Sequence, residues 1–252
     1  MVHIRSQREV DFIRESSRIV FNTLNMLEKE IKPGVKGEYL DQLAEELIHS
    51  EGGEPAFKGY MGYPSSLCIS FNHEVVHGIP NSCEFREGDI VGIDCGVLKN
   101  GYYGDSARTY PIGDISKDLK RLLEVTEESL YIGIKKAKAG NRVSDIGYAV
   151  QHFVEGHGFS VVRDLVGHGI GSQLHEDPQV PNYGEPGNGV ELDTGMCLAI
   201  EPMVNFGREE IFTKPNGWTI CTKDGKPSAH FEHTIVVTSH GGKILSNGIY
   251  DG

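Results

Sequence analysis

The sequence predicts an α+β protein assembled from two similar halves. Two observations carry that expectation. Apolar residues recur at helical spacing in two pairs of segments, and each pair is followed by strand-like runs. Within those runs Gly88-Asp89-Ile90-Val91-Gly92-Ile93-Asp94 is echoed 107 residues later by Gly195-Met196-Cys197-Leu198-Ala199-Ile200-Glu201, each a glycine with an acid six residues on, behind an isoleucine. So long a period reads as a duplicated half whose copies face each other rather than a solenoid. The expected organisation is one domain over residues 1–252, with halves of roughly 1–115 and 116–252.

Val10, Ile13, Ser17, Val20, Leu24, Leu27 and Ile31 recur at three and four residues, so the first segment is an amphipathic helix stopped by Lys32-Pro33-Gly34. Leu40, Leu43, Leu47 and Ile48 mark a second helix ending near Gly52-Gly53. The glycine-punctuated, aromatic run Phe57-Lys58-Gly59-Tyr60-Met61-Gly62-Tyr63-Pro64 reads as loop. Leu67–Phe71 reads as a short strand and Val75–Pro80 as a short extended piece. Asn100-Gly101 between two strand-like runs marks a hairpin, because both residues tolerate positive φ. Leu119–Ala139 and Val143–His157 read as two more helices separated by Ala139-Gly140-Asn141. The glycine-rich last third carries its clearest strands at Met196–Glu201 and Phe231–Val237.

A net charge of −12 argues against a general binder of nucleic acid or acidic membrane, since both need a positive field. No apolar stretch approaches the roughly 18 residues of a membrane span, and Arg5, Arg8, Glu9 and Asp11 interrupt any signal-peptide core. Five irregularly spaced cysteines without a secretion signal read as reduced thiols, which makes the cytoplasm the expected compartment.

Asp94 is the oddity of its strand, because an acid amid Ile, Val and small residues needs a cation or hydrogen-bond donors. With Asn100 and Gly101 as the loop, Lys99 faces Tyr102, Gly96 faces Asp105 and Asp94 faces Ala107. Asp94 and Asp105 are then diagonal neighbours on one sheet face, about 7 to 8 Å apart. Carboxylates reaching toward each other across such a diagonal could ligate two metals roughly 3.5 to 4 Å apart. Glu201 and Glu232 also sit in strand-like runs, and His168 lies in Val166-Gly167-His168-Gly169-Ile170-Gly171, where glycines let backbone approach a ligand. Singly, each acid reads equally well as a satisfied core polar group. Four gathered together would repel severely without cations. One imidazole among oxygen ligands suits Mn, Fe, Co or Zn better than Ca or Mg.

For His77 and His175, in segments bounded by Gly78-Ile79-Pro80 and Asp177-Pro178, a substrate-facing role competes with simple exposure. His230 shares a face with Glu232 and is a rival ligand, while His233 points the other way. His3, His49, His73, His152, His157 and His240 read as surface residues. Cys95 faces away from Asp94, and Cys197 lies about 13 Å along the strand from Glu201, so both read as small packed hydrophobes.

Asp94 and Asp105, eleven residues apart, followed by His168, Glu201 and Glu232, closely resemble the metal ligands of type I methionine aminopeptidases. The resemblance spans nearly the whole chain and extends to Gly59–Pro64, Val76–Pro80, Gly167–Gly171, His175–Pro178 and Phe231–Thr234. It implies the pita-bread fold, two pseudo-symmetric α+β halves around a dinuclear metal centre, in the short bacterial form without an N-terminal zinc-binding extension. The stretch from His168 to Glu201 is also too short for the helical insertion of the type II enzymes.

By that similarity two divalent ions (Co, Mn, Fe, Zn or Ni) would be held by Asp94 on one side, His168 and Glu201 on the other, and Asp105 and Glu232 between, with a water as nucleophile. Glu201 would shuttle the proton, His175 would meet the scissile carbonyl and His77 the scissile amide nitrogen. Tyr60, Tyr63, Cys68 and Trp218 would form a methionine pocket, although the same aromatics could simply be core. The pocket departs from the common pattern at Phe57, where cysteine is frequent, and at Leu174, where phenylalanine is. His230 likewise replaces a frequent glutamine. The resemblance also implies a monovalent cation near Asn72 and Ser228. Its implied substrates are N-terminal methionyl peptides and nascent chains with a small second residue, met by a monomer in transient contact with the ribosome, although no basic cluster marks a docking face.

Two rival readings share the fold. An aminopeptidase P or prolidase type of peptidase would carry a substantial N-terminal domain, whereas only two helices precede the first acid strand here. A pita-bread binding protein without catalysis would have lost metal ligands, and all five are present.

Overall fold

A computed structural model describes residues 2–248. Helices α1 (Gln7–Glu30) and α2 (Gly37–Ser50) precede strands β1 (Glu54–Pro55), β2 (Leu67–Phe71), β3 (Glu74–Val76), β4 (Ile90–Lys99) and β5 (Tyr102–Pro111). The order then repeats. Helices α3 (Lys117–Lys136) and α4 (Val143–Gly156) precede β6 (Ser160–Val161), β7 (Gly167–Gly169), β8 (Glu176–Val180), β9 (Cys197–Ile200) and β10 (Met203–Asn205). β11 (Ile211–Thr213), β12 (Ile220–Thr222), β13 (Ser228–His230), β14 (His233–Val237) and β15 (Gly242–Ile244) complete the described chain.

α1 starts where the Ser6 side chain accepts from the Glu9 N–H and the Glu9 carboxylate accepts from Ser6 N–H, a reciprocal box that satisfies two donors of the first turn. Its apolar stripe of Val20, Leu24 and Leu27 packs with Leu40 and Ile48 of α2 against Ile69 and Ile93 of the first sheet. α3 and α4 build a second core the same way, with Leu130, Ile134 and Val150 against Leu198 and Ile235. A third cluster joins the two, running from Val10 and Ile13 through Phe57, Tyr63 and Cys68 to Ile170, Leu174 and Cys197.

In the first sheet β4 pairs with β5 along its whole length and on its other edge with β1 and β2. The hairpin has the expected register, with Lys99 opposite Tyr102, Gly96 opposite Asp105 and Asp94 opposite Ala107. Asn100 and Gly101 both take positive φ, 53° and 79°, as a two-residue turn that follows the strand twist requires. The main sheet of the second half has the order β15-β14-β9-β7-β8.

Three local expectations change. The extended piece around residue 77 ends at Val76, because His77 turns into the left-handed region at φ 58°. The strand ending in an acid stops one residue early: β9 ends at Ile200, and Pro202 beyond Glu201 has no N–H to extend a ladder. The run Phe231–Val237 is not one strand. Glu232 donates its N–H to Ala107 O of β5 at 2.9 Å, leaving Phe231 and Glu232 between β13 and β14.

Candidate metal centre

The two sheets meet where β5 crosses the β13–β14 junction, and hydroxyls stitch the crossing. Asp105 N–H donates to Thr234 Oγ1 at 3.0 Å, and that hydroxyl donates to Asp105 O at 2.8 Å. Ser106 Oγ donates to Glu232 O at 2.5 Å, and Thr109 Oγ1 both donates to His230 O and accepts its N–H. Asp105 and Glu232 are thereby fixed by backbone on opposite sides of one seam. His168 reaches them from β7, whose flanking glycines are set by close packing. A Cβ on Gly167 would lie 2.4 Å from Ala199 O, and one on Gly169 2.2 Å from Asp177 O.

One ligand atom each of Asp105, His168 and Glu232 lie within 4.8 Å of one another. Asp94 and Glu201 line the same cavity, which measures about 310 Å³. His168 Nε2 is 3.5 Å from Glu201 Oε1. Asp94 Oδ1, Asp105 Oδ1 and Glu232 Oε1 are buried with no hydrogen-bond partner among the described residues. Buried carboxylate oxygens without donors are costly unless a cation satisfies them. The five residues therefore fit divalent metal: oxygen-rich, with one imidazole, and with unpartnered oxygens around one cavity.

The electrostatics agree. Burial raises the carboxyl pKa of Asp94 to about 6, Glu201 adding to it and His230 opposing. Burial alone raises Glu201 to about 8. Asp105 and Glu232 are also pushed well above the usual carboxylate range, by burial first and then by their carboxylate neighbours. Burial, and then the neighbouring His175, lowers His168 to about 3, keeping the imidazole neutral and free to ligate.

The expected catalytic and pocket residues Phe57, Tyr60, Tyr63, Cys68, His77, Leu174, His175 and Trp218 line the same cavity, whereas the rival ligand His230 and the pair Asn72 and Ser228 do not. Trp218 meets Tyr63 edge-on, 5.1 Å between ring centroids, and the Tyr63 hydroxyl donates to Gly78 O at 2.8 Å. Tyr60 Oη and His175 Nδ1 are 2.8 Å apart, and the His175 ring stands edge-on to His168 at 4.4 Å. His175 is exposed on its outer side and still contributes to the wall. His77 is neutral, its pKa lowered to about 4 by burial, then by His230 and His175.

One wall residue went unnoticed in the sequence. Met61, 82% exposed with φ 48°, sits at the cavity rim. Its signal was its position between Gly59 and Gly62 in a run already marked as functional. A larger cavity of about 590 Å³, walled by residues such as Phe21, Arg108, Tyr131 and His233, shares Glu232 with the first. It gathers none of the other expected ligands.

Residues 11–239 match the metallopeptidase family M24. The chain belongs to that family. Among M24 metallopeptidases it is 54% identical to the methionine aminopeptidase 1 of Bacillus subtilis, over 98% of this chain and 99% of the relative. The crystal structure of a methionine aminopeptidase from Thermotoga maritima superposes with a TM-score of 0.96 at 45% identity, covering 98% of this chain and 99% of that one. A prolidase from Pyrococcus furiosus has a TM-score of 0.78 at 23% identity, with 96% of this chain covered and 65% of that one, which shows a common fold only. The fold of this M24 metallopeptidase is accordingly the pita-bread fold, and its family membership implies divalent metal.

Proposed function

We propose that this chain is a methionine aminopeptidase, removing N-terminal methionine from peptides by metal-dependent hydrolysis and favouring a small second residue. The observation that carries the reading is the convergence of carboxylates from both sheets, with unpartnered buried oxygens, on an aromatic-walled cavity.

Asp94, Asp105, His168, Glu201 and Glu232 would hold two divalent ions drawn from Co, Mn, Fe, Zn and Ni. When bound, such a pair lowers the pKa of a water from about 15.7 toward about 7 and neutralises charge developing at the reacting carbonyl. Glu201 carries the proton from the wall of the cavity, beside His168. His175, steadied by Tyr60, presents a neutral imidazole to the scissile carbonyl, and His77 presents another to the departing amide nitrogen. The methionine side chain lies among Phe57, Tyr63, Cys68, Leu174 and Trp218, where a polarizable thioether gains from aromatic edges. Asn72 and Ser228, joined by a 2.8 Å hydrogen bond from Ser228 N–H to Asn72 O, would flank a monovalent cation.

Residues 1–252 act as one catalytic unit, a monomer in the cytoplasm that trims nascent chains in transient contact with the ribosome. The test is direct. Purified protein with Mn(II), Co(II) or Fe(II) is expected to release methionine from Met-Ala-Ser and to spare peptides with a bulky second residue. Preferential cleavage of X-Pro peptides, or inertness with every metal, overturns the reading.

A further inference from the structure

Glu201 stands between two imidazoles. His168 Nε2 lies 3.5 Å from one of its oxygens and His230 Nε2 lies 3.6 Å from the other. His168 belongs to the ligand set described above. His230 does not, and its placement needs its own explanation. The residue is 4% exposed, and its Nε2 is buried with no hydrogen-bond partner among the described residues. Leaving such a group unsatisfied is costly, because it has lost its water and gained no partner. The backbone gives it no escape: its N–H donates to Thr109 Oγ1 at 2.9 Å, its carbonyl accepts from the same hydroxyl at 2.8 Å, and it pairs with Met203 between β13 and β10.

Two roles are open to an imidazole held in this way. As a metal ligand it would have to face the cavity that all five proposed ligands line, and His230 is not among the residues lining it. As a hydrogen-bond donor it needs one acceptor, and a Glu201 oxygen lies 3.6 Å away. We propose that His230 is a positioning residue, whose Nε2–H donates to Glu201 Oε2 and fixes the plane of that carboxylate while Oε1 faces His168. The remaining gap closes to an ordinary separation of about 2.9 Å by a small tilt of either side chain. A glutamate that both ligates and carries a proton gains from this constraint, because one oxygen is committed and the other keeps a fixed direction.

The inference rests on the reading of Glu201 given above, and its test separates the two. Chelated protein is titrated calorimetrically with Mn(II), and kcat and KM are measured on Met-Ala-Ser. His230→Asn keeps polarity but cannot reach Oε2, whereas His230→Gln can place an amide N–H there. Asparagine should weaken metal binding and kcat by about 10- to 100-fold with KM little changed, and glutamine should restore most of both. Asparagine and glutamine variants that behave alike, whether both active or both impaired, overturn the proposal. Loss of a nitrogen ligand from the Co(II) protein on His230→Gln, read by X-ray absorption fine structure, also overturns it, since that would make His230 a ligand. If the wild-type protein fails to release methionine, the peptidase reading falls, and the metal titration alone still decides the role of His230.

Discussion

The two echoed strands begin alike and end differently. Gly88 and Gly195 both adopt left-handed backbone, φ 90° and 94°, and six residues later each strand delivers an acid to the same cavity. β4 continues to Lys99, so Asp94 sits inside a ladder with Cys68 on one side and Ala107 on the other. β9 stops at Ile200, and Glu201 lies just past the ladder, anchored through its carbonyl by Asn182 Nδ2 at 2.9 Å. One pattern has yielded a short acid clamped by two neighbouring strands and a longer acid held at one end. The first suits holding a cation in place, the second suits moving a proton.

The seam shared by both regions offers the largest effect. Asp105→Ala is expected to bring metal content and turnover below detection while far-UV circular dichroism retains the four helices; full turnover in that variant would contradict a site shared between the sheets. The division of labour is sharpened by a pair of variants. Glu201→Gln should cut kcat by about 10²- to 10⁴-fold while keeping more metal than Asp94→Asn does. Metal analysis that finds the reverse order would remove the distinction drawn above.

A third measurement concerns metal-free protein. The carboxyl pKa of Glu201 lies at about 8 in the folded state against an ordinary 4.5, and Asp105 and Glu232 are raised too, so the fold binds their protons more tightly than the unfolded chain does. Stability present at low pH is therefore lost as pH rises toward the folded values. His77 and His168, lowered to about 4 and about 3, act oppositely but only below their ordinary 6.5. Above about pH 6.5 these histidines no longer oppose the carboxyls, and the melting temperature of chelated protein should fall up to pH 8, with saturating Mn(II) flattening the slope. A melting temperature that rises over this range would show that the acids are not buried together.

The smallest effect compares the two leading helices. The α1 cap is reciprocal, whereas at α3 the Ser116 hydroxyl accepts from Leu119 N–H without a returning acid. Ser6→Ala should cost about 1 kcal/mol and Ser116→Ala somewhat less, read as a Tm loss of about 2–4 °C per kcal/mol. Equal losses would mean that the Glu9 half of the box adds nothing.

The helices and the β4–β5 register were legible in the sequence because their causes are local: the stripe Val20, Leu24, Leu27 along one helix face, and a turn that only residues such as Asn100 and Gly101 adopt easily. The break at Phe231–Glu232 was not legible. It arises because Ala107, more than a hundred positions away, takes the Glu232 N–H out of the ladder. The same holds for Thr234, Ser106 and Thr109, ordinary hydroxyls in any local window that become the stitching of the site once the sheets meet. The turn at His77 likewise depends on close packing of its neighbour, since a side chain at Gly78 would strike Ile69 O.

Asp105 and Glu232 occupy opposite banks of that hydroxyl-laced junction, so ions held between them would tie the two portions of the polypeptide together. Bound ions would act as a clasp over hydrogen bonds already made, and their release would loosen the junction before either hydrophobic interior is disturbed.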